Sequence, residues 1–169
     1  MSLPAQIDPR KLALQGAVLE GVVVAEDLTR LASAVSAVTG SLKANIQFAK
    51  DESGQPVATG TASVFVDVVC QRCLDAVNIE LKADLSLQII WSEDHISNVA
   101  PDREPWIVVD RIADLNAVIE DEVLLILPIV NYHSLEDCTG DACYKEADSK
   151  SEETDTNSPF SILKQLKQS

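Results

Sequence analysis

Apolar and polar side chains alternate along three stretches of the chain in the way that half-buried strands require. Residues 42–48 and the run from Val57 to Val69 carry the first two, separated by a turn-rich loop, KDESGQP. In the third, apolar residues occupy every odd position from Val77 to Ile89. The loop predicts a hairpin tip, so the pattern predicts an antiparallel meander, followed by a short apolar strand over residues 106–109.

Other stretches predict a further strand and two helices. Residues 12–24 are apolar but interrupted by Gly16 and Gly21, which predicts a kinked or bulged strand. A helix is predicted from residue 26 to Gly40, since Leu28, Leu31, Val35 and Val38 recur at helical spacing. A second is predicted from an N-cap at Asp114 to just before Pro128.

The apolar pattern stops after Asp137, which divides the chain into three parts. Residues 1–143 are predicted to form one α+β domain, an antiparallel β-sheet (meander) flanked by two helices. Residues 144–158 are predicted to be a disordered acidic linker. Residues 159–169 form a short basic amphipathic motif, and Phe160, Leu163 and Leu166 are its candidate partner contacts.

Charge narrows the kind of partner that the chain can have. The 169 residues carry a formal net charge of −14, and residues 51–135 hold fifteen acidic against four basic side chains. Such a body is repelled by phosphate, so a basic protein partner is favoured over non-specific nucleic-acid binding. The alternative is that the charge only maintains solubility. We also expect no membrane span, no signal peptide and a cytoplasmic protein.

The sequence does not predict an enzyme. It lacks a glycine-rich phosphate loop and a nucleophile elbow, and it has only two histidines, His95 and His133. We therefore expect no catalytic residues, no small-molecule substrate and no organic cofactor.

Four cysteines form the main candidate for chemistry. They are Cys70-x-x-Cys73 and Cys138-x4-Cys143, with His133 shortly before the second pair. One structural zinc could be held by the first three cysteines, with either His133 or Cys143 as fourth ligand. Against this, Leu74 stands where such knuckles commonly have glycine, so metal-free thiols remain an alternative. A redox role for Cys70 and Cys73 and a structural disulfide are weaker alternatives.

Three consecutive acids on the second helix cannot all face water. At about 100° per residue the three fan over about 200° of the helix surface. Glu122 follows Val118 and Ile119 at helical spacing, which places it on or beside the apolar face. An unpaired carboxylate beside the apolar face is costly, so Arg72 or Arg111 is expected to pair with Glu122. Arg72, Asp121 and Glu122 are therefore candidate interaction residues.

These motifs together resemble the bacterial YceD family, the large ribosomal RNA subunit accumulation proteins. The resemblance rests on the VCQRCL stretch at 69–74, on the run from Asp114 through Glu120-Asp121-Glu122 to Leu127-Pro128, and on His133, Cys138, Pro159-Phe160 and Leu163. It implies a non-enzymatic cytoplasmic protein needed for normal levels of 23S rRNA. The basic partner would then be a large-subunit ribosomal protein or an assembly precursor, with direct RNA contact left open.

Two other functions remain compatible with the residues. One is a zinc-stabilised protein-interaction adaptor without a ribosomal role. The other is a thiol redox protein that uses the Cys70 and Cys73 pair.

Overall fold

The computed structural model describes residues 1–138 and shows a mixed α/β fold. The helices are α1 (Pro9–Gln15), α2 (Thr29–Ala34) and α3 (Leu115–Leu125), with 3₁₀ turns at Ala25–Asp27 and Glu93–Asn98. The strands are β1 (Gln6–Ile7), β2 (Val18–Val23), β3 (Ala37–Val38), β4 (Leu42–Lys50), β5 (Pro56–Val69), β6 (Ala76–Ile90), β7 (Glu104–Ile107) and β8 (Ala113–Asp114).

One six-stranded sheet forms the centre of the fold. Its order is β2-β4-β5-β6-β7, and β3 pairs with β5 beyond the end of β4. The predicted hairpins β4–β5 and β5–β6 are present and antiparallel. However, β7 pairs with β6 in parallel, so the sheet is mixed and the prediction of a purely antiparallel meander is wrong. The crossover through residues 91–103 makes this parallel return possible.

Alternation along the strands places the apolar core on one face of the sheet. Leu42, Ile46 and Phe48 of β4 are buried, whereas their polar neighbours in the strand are exposed. The same pattern continues across β5 and β6, and α3 covers this face with Leu115, Ile119 and Val123. The opposite face is largely solvent-exposed, as in many sheets with one covered side, and it carries the exposed Phe65 and Val69 of β5.

The first helix corrects the prediction of a strand over residues 12–24. Asp8 caps α1 by accepting a hydrogen bond from the Lys11 N–H (3.0 Å), and Pro9 occupies the first helical position. Gly16 ends the helix with φ of +61°, a conformation that glycine adopts without strain. Only residues 18–23 of the predicted strand form a strand. The fold therefore has three α-helices among residues 1–138, rather than two.

The helix predicted from residue 26 to Gly40 is shorter than expected. Leu28 and Leu31 are fully buried, as the spacing predicts, but α2 ends at Ala34. The chain then turns extended and β3 pairs with β5, because the backbone there completes the edge of the sheet left free by β4. Val35 and Val38 are β-branched and fit this strand geometry well.

The second predicted helix is confirmed. The Asp114 carboxylate accepts a hydrogen bond from the Ala117 N–H (3.1 Å), and α3 ends before Pro128. The acidic linker at 144–158 and the motif at 159–169 lie outside the described residues. In the described part of the chain, every helix is too short or too polar to cross a membrane.

Candidate metal centre

The far end of the long β5–β6 hairpin positions two cysteines in a tight turn. The Cys70 N–H donates to the Asp75 carbonyl (2.9 Å), and the Leu74 N–H donates to the Cys70 carbonyl (3.0 Å). Leu74 adopts φ of +64°, the left-handed conformation that glycine usually supplies. The absent glycine therefore does not prevent the knuckle from forming, although it costs backbone strain.

The segment that follows α3 lies against this hairpin end. The Gln71 N–H donates to the Asn131 carbonyl (2.8 Å), and the His133 N–H donates to Cys70 Sγ (3.4 Å). Arg72 stacks its guanidinium over the Tyr132 ring at 4.7 Å and donates to the His133 carbonyl (3.3 Å). Backbone and cation–π contacts thus hold the segment in place.

A short turn brings the third cysteine to the same place. The Ser134 hydroxyl donates to the Asp137 carboxylate (2.6 Å), and the Cys138 N–H donates to the Ser134 carbonyl (3.1 Å). As a result, one ligand atom from each of Cys70, Cys73, His133 and Cys138 lies within 4.8 Å of the others. No disulfide joins the cysteines of the described region.

His133 is oriented as a metal ligand would be. Its Nε2 faces the Ala76 carbonyl at 2.9 Å, and since a carbonyl only accepts, Nε2 carries the proton. The other ring nitrogen, Nδ1, points into the cluster, 3.2 Å from Cys73 Sγ. Metal-bound histidines typically donate their other ring N–H to such a carbonyl, which fixes the tautomer.

The thiols titrate differently because they crowd one another. Burial raises the pKa of Cys70, but hydrogen bonds from three backbone N–H groups, that of Cys73 foremost, outweigh it and lower this pKa to about 5. A backbone hydrogen bond from Asp75 lowers the pKa of Cys73, but burial and the two neighbouring cysteine sulfurs raise it overall to about 11. Without a cation, the ionisation of one thiol therefore disfavours the ionisation of its neighbours.

The donor set fits zinc in number and chemistry. Tetrahedral zinc with Zn–S of about 2.3 Å sets neighbouring ligand atoms roughly 3.5–3.8 Å apart. The ligand atoms of the cluster lie within 4.8 Å of one another, so only small shifts would bring them to this spacing. Three thiolates and zinc would carry a net charge of about −1. The Arg72 guanidinium, which donates to the His133 carbonyl, can balance it, and its Nη1 is buried with no hydrogen-bond partner among residues 1–138. Three sulfurs and one nitrogen form a closed structural set.

Of the two proposed fourth ligands, the described structure brings His133 into the cluster, and Cys143 lies outside the described residues. Phe160, Leu163 and Leu166 also lie outside them. The turn between two strands agrees with the argument against a thioredoxin-like motif, which would open a helix.

The predicted partner of Glu122 is wrong. Arg72 contacts Tyr132 and the His133 carbonyl, and Arg111 pairs with Asp8 at 2.8 Å. Glu122 is half-buried without an ion pair in the described part of the chain; burial and the charges of Glu104 and Asp121 raise its pKa.

Glu120 is the buried carboxylate that the sequence analysis missed. Its Oε1 accepts hydrogen bonds from the N–H groups of Arg30 and Leu31, each at 2.9 Å, and Oε2 pairs with Arg30 Nε at 3.0 Å. Arg30 also pairs with Asp121. Glu120 therefore accepts hydrogen bonds from two of the N-terminal amides of α2. The helical period of the sequence alone does not reveal that α2 lies beside α3.

Comparisons with known proteins cover nearly the whole chain. The family model described as "Large ribosomal RNA subunit accumulation protein YceD" matches residues 58–167, a range that includes all four clustered ligands. A relative of the same description from Haemophilus influenzae is 29% identical over 171 residues, which are 99% of this chain and 98% of the relative. No solved structure matches.

Proposed function

The chain belongs to the YceD family, and from that premise we propose that it is a non-enzymatic factor needed for the accumulation of large-subunit (23S) ribosomal RNA. The observation that carries this proposal is the match over residues 58–167, supported by the end-to-end similarity to the Haemophilus influenzae relative. The closed donor set of the candidate metal centre suits a structural rather than a catalytic site.

Depletion of the protein tests the role directly. Cells lacking it should have a lower ratio of 23S to 16S rRNA than the parent strain, and expression of the full chain should restore that ratio. An unchanged ratio would remove the proposal. The variant Cys143→Ser should also restore it, because Cys70, Cys73, His133 and Cys138 of the described residues already make a set of four ligands.

We further propose that the connection to the large subunit runs through a basic protein, such as a ribosomal protein or an assembly precursor. The formal charge of −14 supports this choice, because an acidic surface attracts lysine-rich partners and repels phosphate. Affinity recovery should yield such a partner even after nuclease treatment, and added salt should weaken its recovery. Tight binding of the purified chain to bare 23S rRNA at physiological salt would contradict this proposal.

The C-terminal motif at 159–169 is the second element of the partner proposal. Its apolar residues at helical spacing and its two lysines suit a groove on a partner. The variant Leu163→Glu should weaken partner recovery, whereas Gln165→Glu adds the same charge at a polar position and should not. If Leu163→Glu instead lowers the melting temperature of the chain, the motif packs on its own domain.

We also propose that Cys70, Cys73, His133 and Cys138 hold one structural zinc ion. The support is the set of distances within 4.8 Å and the tautomer fixed by the Ala76 carbonyl. Protein purified without chelator should contain about one zinc per chain, and Cys138→Ser should lose it. Cys143→Ser is the matched control and should keep it; the opposite outcome would make Cys143 the ligand. Metal-free wild type with freely titratable thiols would refute the zinc site.

A further inference from the structure

Strand β6 has one long edge that no other described strand covers. It pairs with β5 along almost its whole length, from Ala76 opposite Val69 to Gln88 opposite Val57. On its other side, β7 pairs only with residues 87–90. Among residues 1–138, therefore, positions 77–86 border no strand on that side. Exposed edges of this length are usually shortened, covered or used for pairing.

The hydrogen-bond alternation identifies which backbone groups point outward. Cys70 and Asp75 are hydrogen-bonded across the end of the hairpin, so every second pair after them is bonded and the intervening residues of β6 face away from β5. Two carbonyls confirm this: that of Ala76 accepts from His133, and that of Ile90 accepts from Val108. Even-numbered residues of β6 therefore point their N–H and C=O groups outward.

Four consecutive outward residues have no backbone partner on this edge within the described structure: Asn78, Glu80, Lys82 and Asp84. Their side chains lie on the solvated face of the sheet. Beside them on the core face, Ile79 is only partly buried. An additional strand would satisfy the backbone groups and cover Ile79.

We propose that a second copy of this chain supplies that strand, so that two β6 strands pair antiparallel about a twofold axis at Leu81. In this register Glu80 of each copy lies opposite Lys82 of the other, and Asn78 lies opposite Asp84. All the outward N–H and C=O groups of the four residues then form hydrogen bonds. This inference is independent of the ribosomal role.

Charge selects this register over its neighbours. Because outward groups sit on even residues, the axis can move only in steps of one residue, from Leu81 to positions 80 or 82. An axis at Glu80 sets Glu80 against itself, and an axis at Lys82 sets Lys82 against itself and Glu80 against Asp84. Like charges directly opposite destabilise a strand pair. The Glu80 and Lys82 side chains already pair within one strand at 2.8 Å, so their ion pairs need only be exchanged between copies.

Sedimentation velocity of the full chain at physiological ionic strength tests the proposal. The wild type should form a dimer whose fraction rises with concentration. Glu80→Lys and Lys82→Glu should each be monomeric over the same range with unchanged circular dichroism, because each sets like charges across the axis. A wild type that stays monomeric at the highest soluble concentration would overturn the proposal.

Recombining the charges separates this interface from other modes of association. An equimolar mixture of the two single variants should form heterodimers, and the double variant carrying both exchanges should recover the homodimer. Lys82→Pro should fold and remain monomeric, since it removes only an outward N–H. If the single variants dimerise as the wild type does, the contact lies elsewhere and the proposal is wrong.

Discussion

The sheet with its packed helices and the segment at 126–138 are stabilised by different physical means. Phe48, Ile119 and Val123 are fully buried in the first region. In the second, Ile129 is 96% exposed and Leu135 is 75% exposed. The segment is held instead by hydrogen bonds, a cation–π contact and the candidate zinc ligands.

This difference indicates where a metal can matter. A core of buried hydrocarbon folds without help, whereas a segment with few buried side chains needs another source of free energy to stay ordered. Zinc bound by His133 and Cys138 would supply it, because Cys70 and Cys73 belong to the stable hairpin. The candidate metal centre therefore lies at the junction between the two regions.

The largest effect is expected in the core. Phe48→Ala should lower the free energy of unfolding by about 3–5 kcal/mol, since Phe48 is fully buried and packs against Trp106 with ring centroids 6.4 Å apart. Urea unfolding measures the change. Phe65→Ala removes the same side chain from a site that is 48% exposed on β5 and should cost less than about 1 kcal/mol. Equal costs would contradict this account of the sheet.

The next effect concerns the helix contact beside the core. Glu120→Ala should cost about 2 kcal/mol, because the N–H groups of Arg30 and Leu31 lose their acceptor. Urea unfolding again measures it, and a loss below about 0.5 kcal/mol would show that water replaces the carboxylate.

Glu122→Gln changes a neighbouring carboxyl of α3 and has the opposite expected sign. Burial, followed by the charges of Glu104 and Asp121, raises the pKa of Glu122 in the folded protein, so ionisation of this carboxyl opposes folding. The variant should be slightly more stable than the wild type above that raised pKa, and the gain should vanish as pH falls below the usual value of 4.5. A gain that persists in acid would have another cause.

The sequence predicted the elements whose signal is local. Alternation located β4, β5 and β6, and the Asp114 cap located α3. The strand prediction over residues 12–15 is wrong because it followed their apolar content alone. The sequence also contains a helix start, Asp8-Pro9, and a helix stop, Gly16, which together indicate α1. The parallel pairing of β7 could not be predicted, because it depends on where the crossover chain returns.

The candidate metal centre was predicted in part for the same reason. Cysteine spacing identified the ligand types, but only the packing of the segment after α3 against the hairpin brings His133 to Cys70 and Cys73. The Glu120 contact was missed because helical periodicity points to Glu122, whereas the position of α2 decides which carboxylate is buried.

Removal of the metal should affect one region and spare the other. In chelated protein, amide hydrogens of residues 126–138 should lose protection from exchange, because their segment has little buried surface of its own. The sheet, including β4 and β5, should stay folded, so the protein should keep its β-sheet circular dichroism signal and a cooperative urea transition. Full protection of the segment without metal would show that hydrogen bonds alone hold it.

The smallest effect is expected at the turn that joins the two regions. Leu74→Gly should raise the free energy of unfolding by up to about 1 kcal/mol. A leucine in the left-handed conformation costs about 1–2 kcal/mol, and glycine removes this strain but loses more conformational entropy on folding. The Leu74 side chain is 74% exposed, so little burial is lost. Leu74→Ala removes the same side chain, keeps the strain and should not stabilise the protein. The urea midpoints of the two variants show whether backbone strain at residue 74 destabilises the protein. If both variants destabilise it equally, the leucine side chain packs in the folded protein. The turn is then held by that contact rather than by its backbone bonds to Cys70.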